Sequence, residues 1–524
     1  MAKSAVRDAD VVIIGMGPVG ALATILLAKA GLRVAVVERD TEVYRLPRAV
    51  NLDGEIVRAL QPTGLAQSVA DLLQPVRPGE RAGFANARRE WMFGARLAPF
   101  GVNGWQSVNM FDQPELEGFL RDTALGLPGV HAFVGYKAEA PVDHGSSVSV
   151  QISRDHDDLT LNASYLLACD GAASTTRKAL GIGWENLGYD HDWLVVDVIT
   201  KPGHTMGLDT LQICDPKRIC TYVCGKDPYR RWEFKLNPGE TWAQMLEPET
   251  IANLIEAFTP ADTYTVRRAA MYQFHAATAE AWRVGRVFLV GDAAHQTPPF
   301  LGQGMNMGMR DAINLSWKLA MIFRGDPAID ANALLDAYEA ERRAHAHDMV
   351  EWAVSFGRLM EHFAAVAAAE ANGETPPEAD PSLQSAGYGQ SREAPPLRAG
   401  VVLESQVGED SPTGHLLTQP EVSDGVSTYR LDDRFGAGFA LLSRRQDEGA
   451  INVASHRLLQ RIGASIVTLQ GLEEVRGHID RGLDAADWLM LRPDRYVFGH
   501  TTSAVDVNDL VAVLAEKLPL VNHH

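Results

Sequence analysis

Asp10-Val-Val-Ile-Ile-Gly15-Met-Gly17-Pro18-Val19-Gly20 reads as a short apolar strand that runs straight into a G-x-G-x-x-G turn. An Ala/Leu-rich helix follows from Ala21 to Ala30, then Gly31, then a second strand, Arg33-Val-Ala-Val-Val-Glu38. The pattern is a βαβ unit with an acid in register. Gly15 suits the tight turn, Gly17 lets a pyrophosphate approach, and Gly20 lets the helix pack on the strand. Pro18 and Val19 fall at the same helix start, where free N–H groups face an anion. Glu38, with Arg39 beside it, is placed to bond the ribose hydroxyls of an adenosine. A dinucleotide is the expected ligand.

Two later stretches repeat the strand-to-turn pattern. Tyr165-Leu-Leu-Ala-Cys169-Asp170-Gly171-Ala-Ala-Ser174-Thr-Thr-Arg177 ends an apolar strand in Asp-Gly and starts a helix. Arg286-Val-Phe-Leu-Val-Gly291-Asp292-Ala-Ala-His295 ends a buried strand in Gly-Asp. Gly291 permits close approach of a ligand, and Asp292 offers a carboxylate to a polyol. Pro298 and Pro299 stiffen the next loop, and Gly302-Gln303-Gly304-Met305-Asn306 can aim helix N–H groups at an electron-rich ligand. The helix beyond runs through Asp311, Asn314 and Lys318.

The chain has 524 residues, 46% apolar and 22% charged, as expected of a soluble globular protein of several domains. A net charge of −19 argues against a nucleic-acid partner. No run of 18 apolar residues occurs, so no membrane span is expected, and the N-terminus lacks signal-peptide architecture, which points to the cytoplasm. Cys169, Cys214, Cys220 and Cys224 form no disulfide framework and lack zinc spacing, so no metal is expected.

Residues 130–165 alternate polar and apolar, as antiparallel strands do. Asp112 is a candidate N-cap, with Pro114 in the first turn of the helix behind it. Strand-like runs at 193–198, 231–234 and 270–274 suggest a sheet inserted into the nucleotide-binding unit. Residues 372–397, rich in Pro, Gly and Ser, read as a linker, and His523-His524 as an added tail. The fold expected is therefore α/β: a Rossmann-like domain (residues 1–185 and 280–395, with part of the substrate sheet near 85–110), an inserted substrate-binding β-sheet (186–279), and a separate C-terminal α/β domain (398–524).

Gly15-x-Gly17-x-x-Gly20, Cys169-Asp170-Gly171-Ala-Ala-Ser174-x-x-Arg177 and Gly291-Asp292-Ala-Ala-His295 together, in this order, resemble the class A flavoprotein aromatic hydroxylases, the para-hydroxybenzoate hydroxylase superfamily. Pro47-Arg48-Ala-x-x-x-Asp53-x-Glu55, Arg231-x-Glu233-Phe234 and Leu491-Arg-Pro-Asp-Arg-Tyr496 are similar to the 3-(3-hydroxyphenyl)propionate hydroxylase branch. The resemblance implies bound FAD, with Glu38 at the AMP ribose, Arg48 and Gln113 lining the cofactor, Asp292 at the ribityl chain, and residues 298–306 cradling the isoalloxazine. Asp170 and Gly171 would serve both FAD and a transient NADH or NADPH. It further implies hydroxylation of a small phenol by O₂ through a flavin C4a-hydroperoxide, in aromatic catabolism. The C-terminal domain is similar to a thioredoxin-like appendage lacking C-x-x-C, with surface for a homodimer.

Candidates around the substrate are Tyr272, His275 and Arg231 for catalysis, and Tyr222, Arg230, Trp232 and Pro298 for binding. An arginine among them would pair a substrate carboxylate. A polyketide, nitro- or chlorophenol, or antibiotic as substrate stays open, as does a flavin reductase or dehydrogenase without oxygen transfer.

Overall fold

The computed structural model describes residues 6–325, 329–378, 394–408, 410–479 and 486–518. Most of the expected linker (379–393) and the tail His523-His524 lie outside the described residues.

The Val6–Ile14 strand is central to a nine-stranded sheet. Asp157–Ala168 and Val34–Glu38 flank it in parallel, with Val287–Leu289 beyond the first and Val130–Val134 beyond the second. Parallel strands covered on both faces read as unbroken apolar runs, which is why Val11 to Ile14, Val34 to Val37 and Val287 to Val290 are all buried. Three neighbouring strands end on one edge, so Gly15, Asp170 and Gly291-Asp292 are delivered side by side from distant parts of the sequence. Gly15 has φ +95°, and a Cβ there would lie 2.3 Å from the Cys169 carbonyl oxygen. Only glycine lets those two strand ends meet.

A second, eight-stranded sheet crosses this edge. Its long members are Trp184–Thr200 and Tyr264–Ala279, antiparallel, continued by Tyr229–Lys235, Cys220–Val223, Thr210–Cys214, Arg81–Asn86 and Trp91–Arg96. The outer face packs Leu194, Val196, Tyr222, Trp232 and Phe234 against Met245, Ile251 and Ile255 of two short helices. The inner face joins the main core through Phe84, Trp193 and Cys214, and meets Phe356 of the Ala331–Asn372 helix.

The C-terminal part is a four-stranded sheet in the order Ser465–Thr468, Ala440–Ser443, Trp488–Leu491, Val497–His500. The first pair is parallel and the rest antiparallel, and the core beneath them includes Trp317, Met321 and Leu334 from the preceding helices. A buried charged seam closes the junction. Glu341 accepts from Lys318 and Arg492, and Asp432 from Arg58 and Arg495. Burial opposes ionisation of Glu341, but Arg492 and Lys318 bring its pKa down to about 2.

Asp112 does stand at the N-cap of the Gln113–Leu125 helix, yet it caps no N–H. Its carboxylate bonds Arg267 at 2.8 Å, because a charged, two-pronged donor outcompetes a backbone amide. Among the described residues, no helix is long and apolar enough to cross a membrane.

The Gly304–Arg324 helix touches the Pro18–Lys29 helix and the Gly291 turn at Gly308, where a Cβ would lie 2.8 Å from Val19 Cγ2 and 2.9 Å from the Gly291 Cα. Alanine would gain up to about 1 kcal/mol of helix propensity, but overpacking costs about 1–3 kcal/mol. Gly308→Ala is therefore expected to lower the melting temperature and loosen FAD retention together, read by thermal unfolding and by flavin released on dialysis.

Candidate functional site

The site is built where the three strand ends meet the inner face of the eight-stranded sheet. Gly17 opens the Pro18–Lys29 helix, and a Cβ on it would meet nothing within 4 Å, so its backbone borders free space at a helix N-terminus. Glu38 lies at the end of the next strand. Its Oε2 accepts from Met16 N at 2.6 Å and its Oε1 from Asp40 N at 2.8 Å, leaving a lone pair on each oxygen for hydroxyls. Arg39 is exposed beside it, weakly paired to Asp40.

Asp170 Oδ2 accepts from Thr176 N, while Oδ1 is buried with no hydrogen-bond partner. Such an orphan marks a place where a ligand donor is expected. Asp292 is exposed to the groove and has no hydrogen-bond partner among the described residues. Surrounding protein raises its carboxyl above its ordinary pKa, against the opposing pull of His295 and Arg48.

Behind these groups lies a second set that the motifs did not reveal. Asp311, wholly buried, accepts from Gly291 N at 3.1 Å, from His295 Nε2 at 2.7 Å and from Arg342 Nε at 2.9 Å. Burial alone would raise Asp311; His295 and Arg342 outweigh it and hold the carboxyl below its usual value. Arg310, next in sequence, bonds Glu55 Oε2, Gln303 Oε1 and Asp53 Oδ2 at 2.7–2.8 Å. Asn306 closes the same knot through Asp53 N and the Asn51 and Gly302 carbonyls. The side chains of Gln303 and Asn306 are thus spent on protein partners, and what they offer a ligand is backbone. The helix start at Gly304 has no side-chain cap, so its first N–H groups, with Met305 beside them, face the site. Gln113 likewise is a strut: its Oε1 takes the N–H groups of Arg48 and Ala49, both at 2.8 Å.

The sequence carried one signal for this second set. Arg310 and Asp311 are charges inside an otherwise apolar helical stretch, and buried charges persist only when paired. Their partners were not legible, because Glu55 and Arg342 lie 255 and 31 residues away.

Strand alternation sorts the substrate candidates. Arg231 and Glu233 face inward with Asp197, Trp193 and Tyr272, whereas Tyr222, Arg230 and Trp232 belong to the outer face beneath the short helices. The structure does not bring those three to the cofactor groove. Arg231 bonds Asp197 at 2.7 Å and donates to the Arg48 and Pro47 carbonyls at 2.7 and 2.8 Å. Arg268 also donates to Pro47. Both arginines hold the Arg48 loop; Arg231 has little left for a substrate carboxylate, whereas Arg268 Nη2 is buried without a hydrogen-bond partner. His275 is about 41% exposed and paired with Asp190 at the sheet margin. Tyr272 stacks on Phe274, with Arg268 against its ring.

The loop at Pro298 carries Phe300 onto the inner face, with its ring 5.3 Å from Trp193 and 5.7 Å from Tyr189. Gln212 reaches the Phe300 carbonyl and accepts from Thr221, which pairs across strands with Glu233. Glu233 is buried, and burial pushes its pKa up to about 7, with Arg231 opposing and Asp197 adding to the rise. A buried carboxyl poised near neutrality, on the sheet face that also carries Trp193 and Tyr272, is a candidate proton acceptor. The four cysteines are free. Among the described residues, His347, Asp348 and Glu351 bring ligand atoms within 4.8 Å, but Arg398 already occupies Asp348.

The groove therefore fits a dinucleotide: an open helix start, a diol-ready Glu38, an orphaned Asp170 oxygen and a free Asp292. The FAD binding domain family matches residues 8–353, and the HcaD C-terminal domain family matches residues 414–517. A 3-(3-hydroxy-phenyl)propionate/3-hydroxycinnamic acid hydroxylase of Klebsiella pneumoniae is 34% identical over 448 residues, covering 83% of this chain and 78% of its own. The like-named protein of Mycobacterium sp. (strain JLS) is 32% identical, covering 94% of this chain and 89% of its own. Aklavinone-11 hydroxylase in complex with FAD and aklavinone superposes with a TM-score of 0.77 at 23% identity, covering 98% of this chain and 99% of its own. Anhydrotetracycline hydroxylase from Streptomyces rimosus superposes with a TM-score of 0.70 at 22% identity, covering the same shares. This chain belongs to the class A flavoprotein aromatic hydroxylases, FAD-dependent monooxygenases.

Proposed function

We propose that this enzyme hydroxylates a small phenol at the inner face of the eight-stranded sheet, with NADH or NADPH as the electron donor. The reading is carried by one observation: the Pro298–Asn306 loop sets Phe300 against Trp193 on the sheet face that also carries the buried, titratable Glu233. FAD held there would supply the activation of O₂ and the transfer of one oxygen atom to the ring.

The chain's own residues do the rest. Gly17 and the helix behind it take the pyrophosphate, Glu38 the ribose and Asp292 the ribityl hydroxyls. N–H groups from Gly304 to Asn306 stabilise negative charge on the reduced ring system. Asp170 and Gly171 serve the incoming coenzyme. Trp193, Phe300, Tyr272 and Phe274 form the aromatic surface beside which a planar substrate lies, and they exclude water, which would otherwise divert reducing equivalents to H₂O₂. Glu233 takes the phenol proton, since a phenolate ring is far richer in electrons at its ortho and para carbons. The relatives' names make 3-(3-hydroxyphenyl)propionate the first substrate to try. In the C-terminal part, a parallel strand pair followed by an antiparallel one supports the thioredoxin-like reading. No cysteine lies in residues 398–524, so its role is not thiol redox.

Oxidation of NADH and NADPH by the purified holoenzyme should be stimulated by 3-(3-hydroxyphenyl)propionate, with dihydroxylated product matching coenzyme consumed and little H₂O₂. Stimulation with peroxide alone would make that phenol an effector, and none across a phenol panel would favour a reductase.

Glu233→Gln should retain FAD but lose product formation by about 100-fold, the usual scale for a general base. Because the carboxylate form is the active one, wild-type turnover should rise with pH through about 7, and that limb should be missing in the variant. A variant with an unaltered pH profile would remove Glu233 from the reaction.

A further inference from the structure

The six-residue Gly54–Ala59 helix lies between the cofactor groove and the C-terminal part and is held from both directions. A helix of that length is not stable by itself, so what grips it sets its position. On the groove side, Glu55 accepts from Arg310 Nε at 2.7 Å. Arg310 goes on to Gln303 and Asp53, and so fixes the Gly302–Asn306 loop. On the other side Arg58, one turn later, meets Asp432 in a two-pronged pair at 2.7 and 2.8 Å and donates to the Leu417 carbonyl. Glu55, Arg58 and Asp432 are all buried.

The C-terminal part also holds the start of this helix. Gly54 N donates to the Ser107 carbonyl, and a Cβ on Gly54 would lie 2.5 Å from the Gln106 carbonyl oxygen, so the helix is seated directly on that stretch. The residues just before it are gripped in turn. Gln419 Nε2 donates to the Asn103 carbonyl at 2.6 Å and Arg430 Nε to the Gly104 carbonyl at 2.7 Å, with the Arg430 guanidinium 3.7 Å from the centre of the Trp105 ring. Stability alone does not account for the Arg58–Asp432 pair, since a buried ion pair is often no more stabilising than apolar residues of the same volume. What a forked pair supplies is a fixed distance and angle.

We propose that Arg58 is a positioning residue for the flavin, and that the C-terminal part acts on the oxidation chemistry through it. The contacts run from Asp432 to Arg58, along the Gly54–Ala59 helix to Glu55, and through Arg310 to Gln303 and Asp53. A part of the molecule that carries no cysteine is thereby the rear anchor of the Gly302–Asn306 loop. The inference rests on the reading that this loop cradles the isoalloxazine.

The test reads the flavin of the purified holoenzyme directly: its visible absorption, its reduction potential and its rate of loss on dialysis. Asp432→Asn keeps the shape of the side chain and removes its charge. It should shift the absorption and the potential and speed flavin loss about tenfold, the scale of one charge-assisted hydrogen bond. If that variant folds poorly, Arg58→Lys decides, because lysine keeps the charge but not the fork, and the same shifts are expected. Arg492→Lys is the control: Arg492 is equally buried at the same junction but bonds Glu341 and Asp494. It should lower the melting temperature to a similar degree and leave the flavin signature as in the wild type. Asp53→Asn reports on the loop itself. A signature moved by Asp53→Asn but not by Asp432→Asn or Arg58→Lys would overturn the inference alone, as would an equal shift in Arg492→Lys. A signature that Asp53→Asn leaves unmoved would overturn the reading of the loop, and the inference with it.

Discussion

The Asp311 carboxylate is the point on which the rest of the site hangs. Through it one buried group binds the Gly291 N–H, the His295 ring and the Arg342 guanidinium, and so ties the Gly-Asp turn to two long helices. Removing one partner of such a buried pair typically costs about 3–5 kcal/mol, because the remaining charge is left unpaired in a dry interior. The Gly291-Asp292 turn is therefore not free to relax when a ligand arrives. Asp292 is thus aimed by a buried carboxylate 20 residues beyond Gly291, which holds the backbone of the turn. Arg310, beside Asp311, does the same for the Gly302–Asn306 loop by drawing in Asp53, Glu55 and Gln303. Two adjacent charges on one helix hold both sides of the cofactor groove.

The second constraint is the alternation of a strand. In Arg230-Arg231-Trp232-Glu233 the pleat sends even and odd residues to opposite faces. Arg231 and Glu233 reach the cofactor side, and Arg230 and Trp232 do not. Arg231 neutralises Asp197 and grips the Pro47 and Arg48 carbonyls, and Glu233, left with a weaker hold on Arg231 at 3.8 Å, stays titratable near neutrality. One buried arginine thus supports the cofactor loop and still lets a neighbouring carboxyl keep its proton until pH 7.

Much of this was legible in the chain and some was not, for physical reasons. The βαβ unit, the two later strand-turn stretches and the C-terminal strands stood out because fully buried parallel strands are unbroken apolar runs, and because turns at Gly15 and Gly291 require glycine. The groove residues Glu38, Asp170 and Asp292 followed from the ends of those strands. What the sequence hid was pairing at long range: Asp112 spending its carboxylate on Arg267, Gln113 and Gln303 turned into struts, and the knot around Arg310. Local pattern carries no information about which distant charge meets which. The face assignment of Tyr222 and Trp232 needed only the period of two, yet a lone Tyr or Trp on a strand gives no sign of which face holds the ligand.

A crystal structure of the holoenzyme with FAD and 3-(3-hydroxyphenyl)propionate tests the central claim most directly. The account predicts the isoalloxazine over residues 302–306 and the phenol ring on the inner face, among Trp193, Tyr272 and Phe300, with its oxygen linked to Glu233 directly or through one relay. A ring bound instead beside Tyr222, Arg230 and Trp232 on the outer face, or a phenol oxygen remote from Glu233, would contradict it.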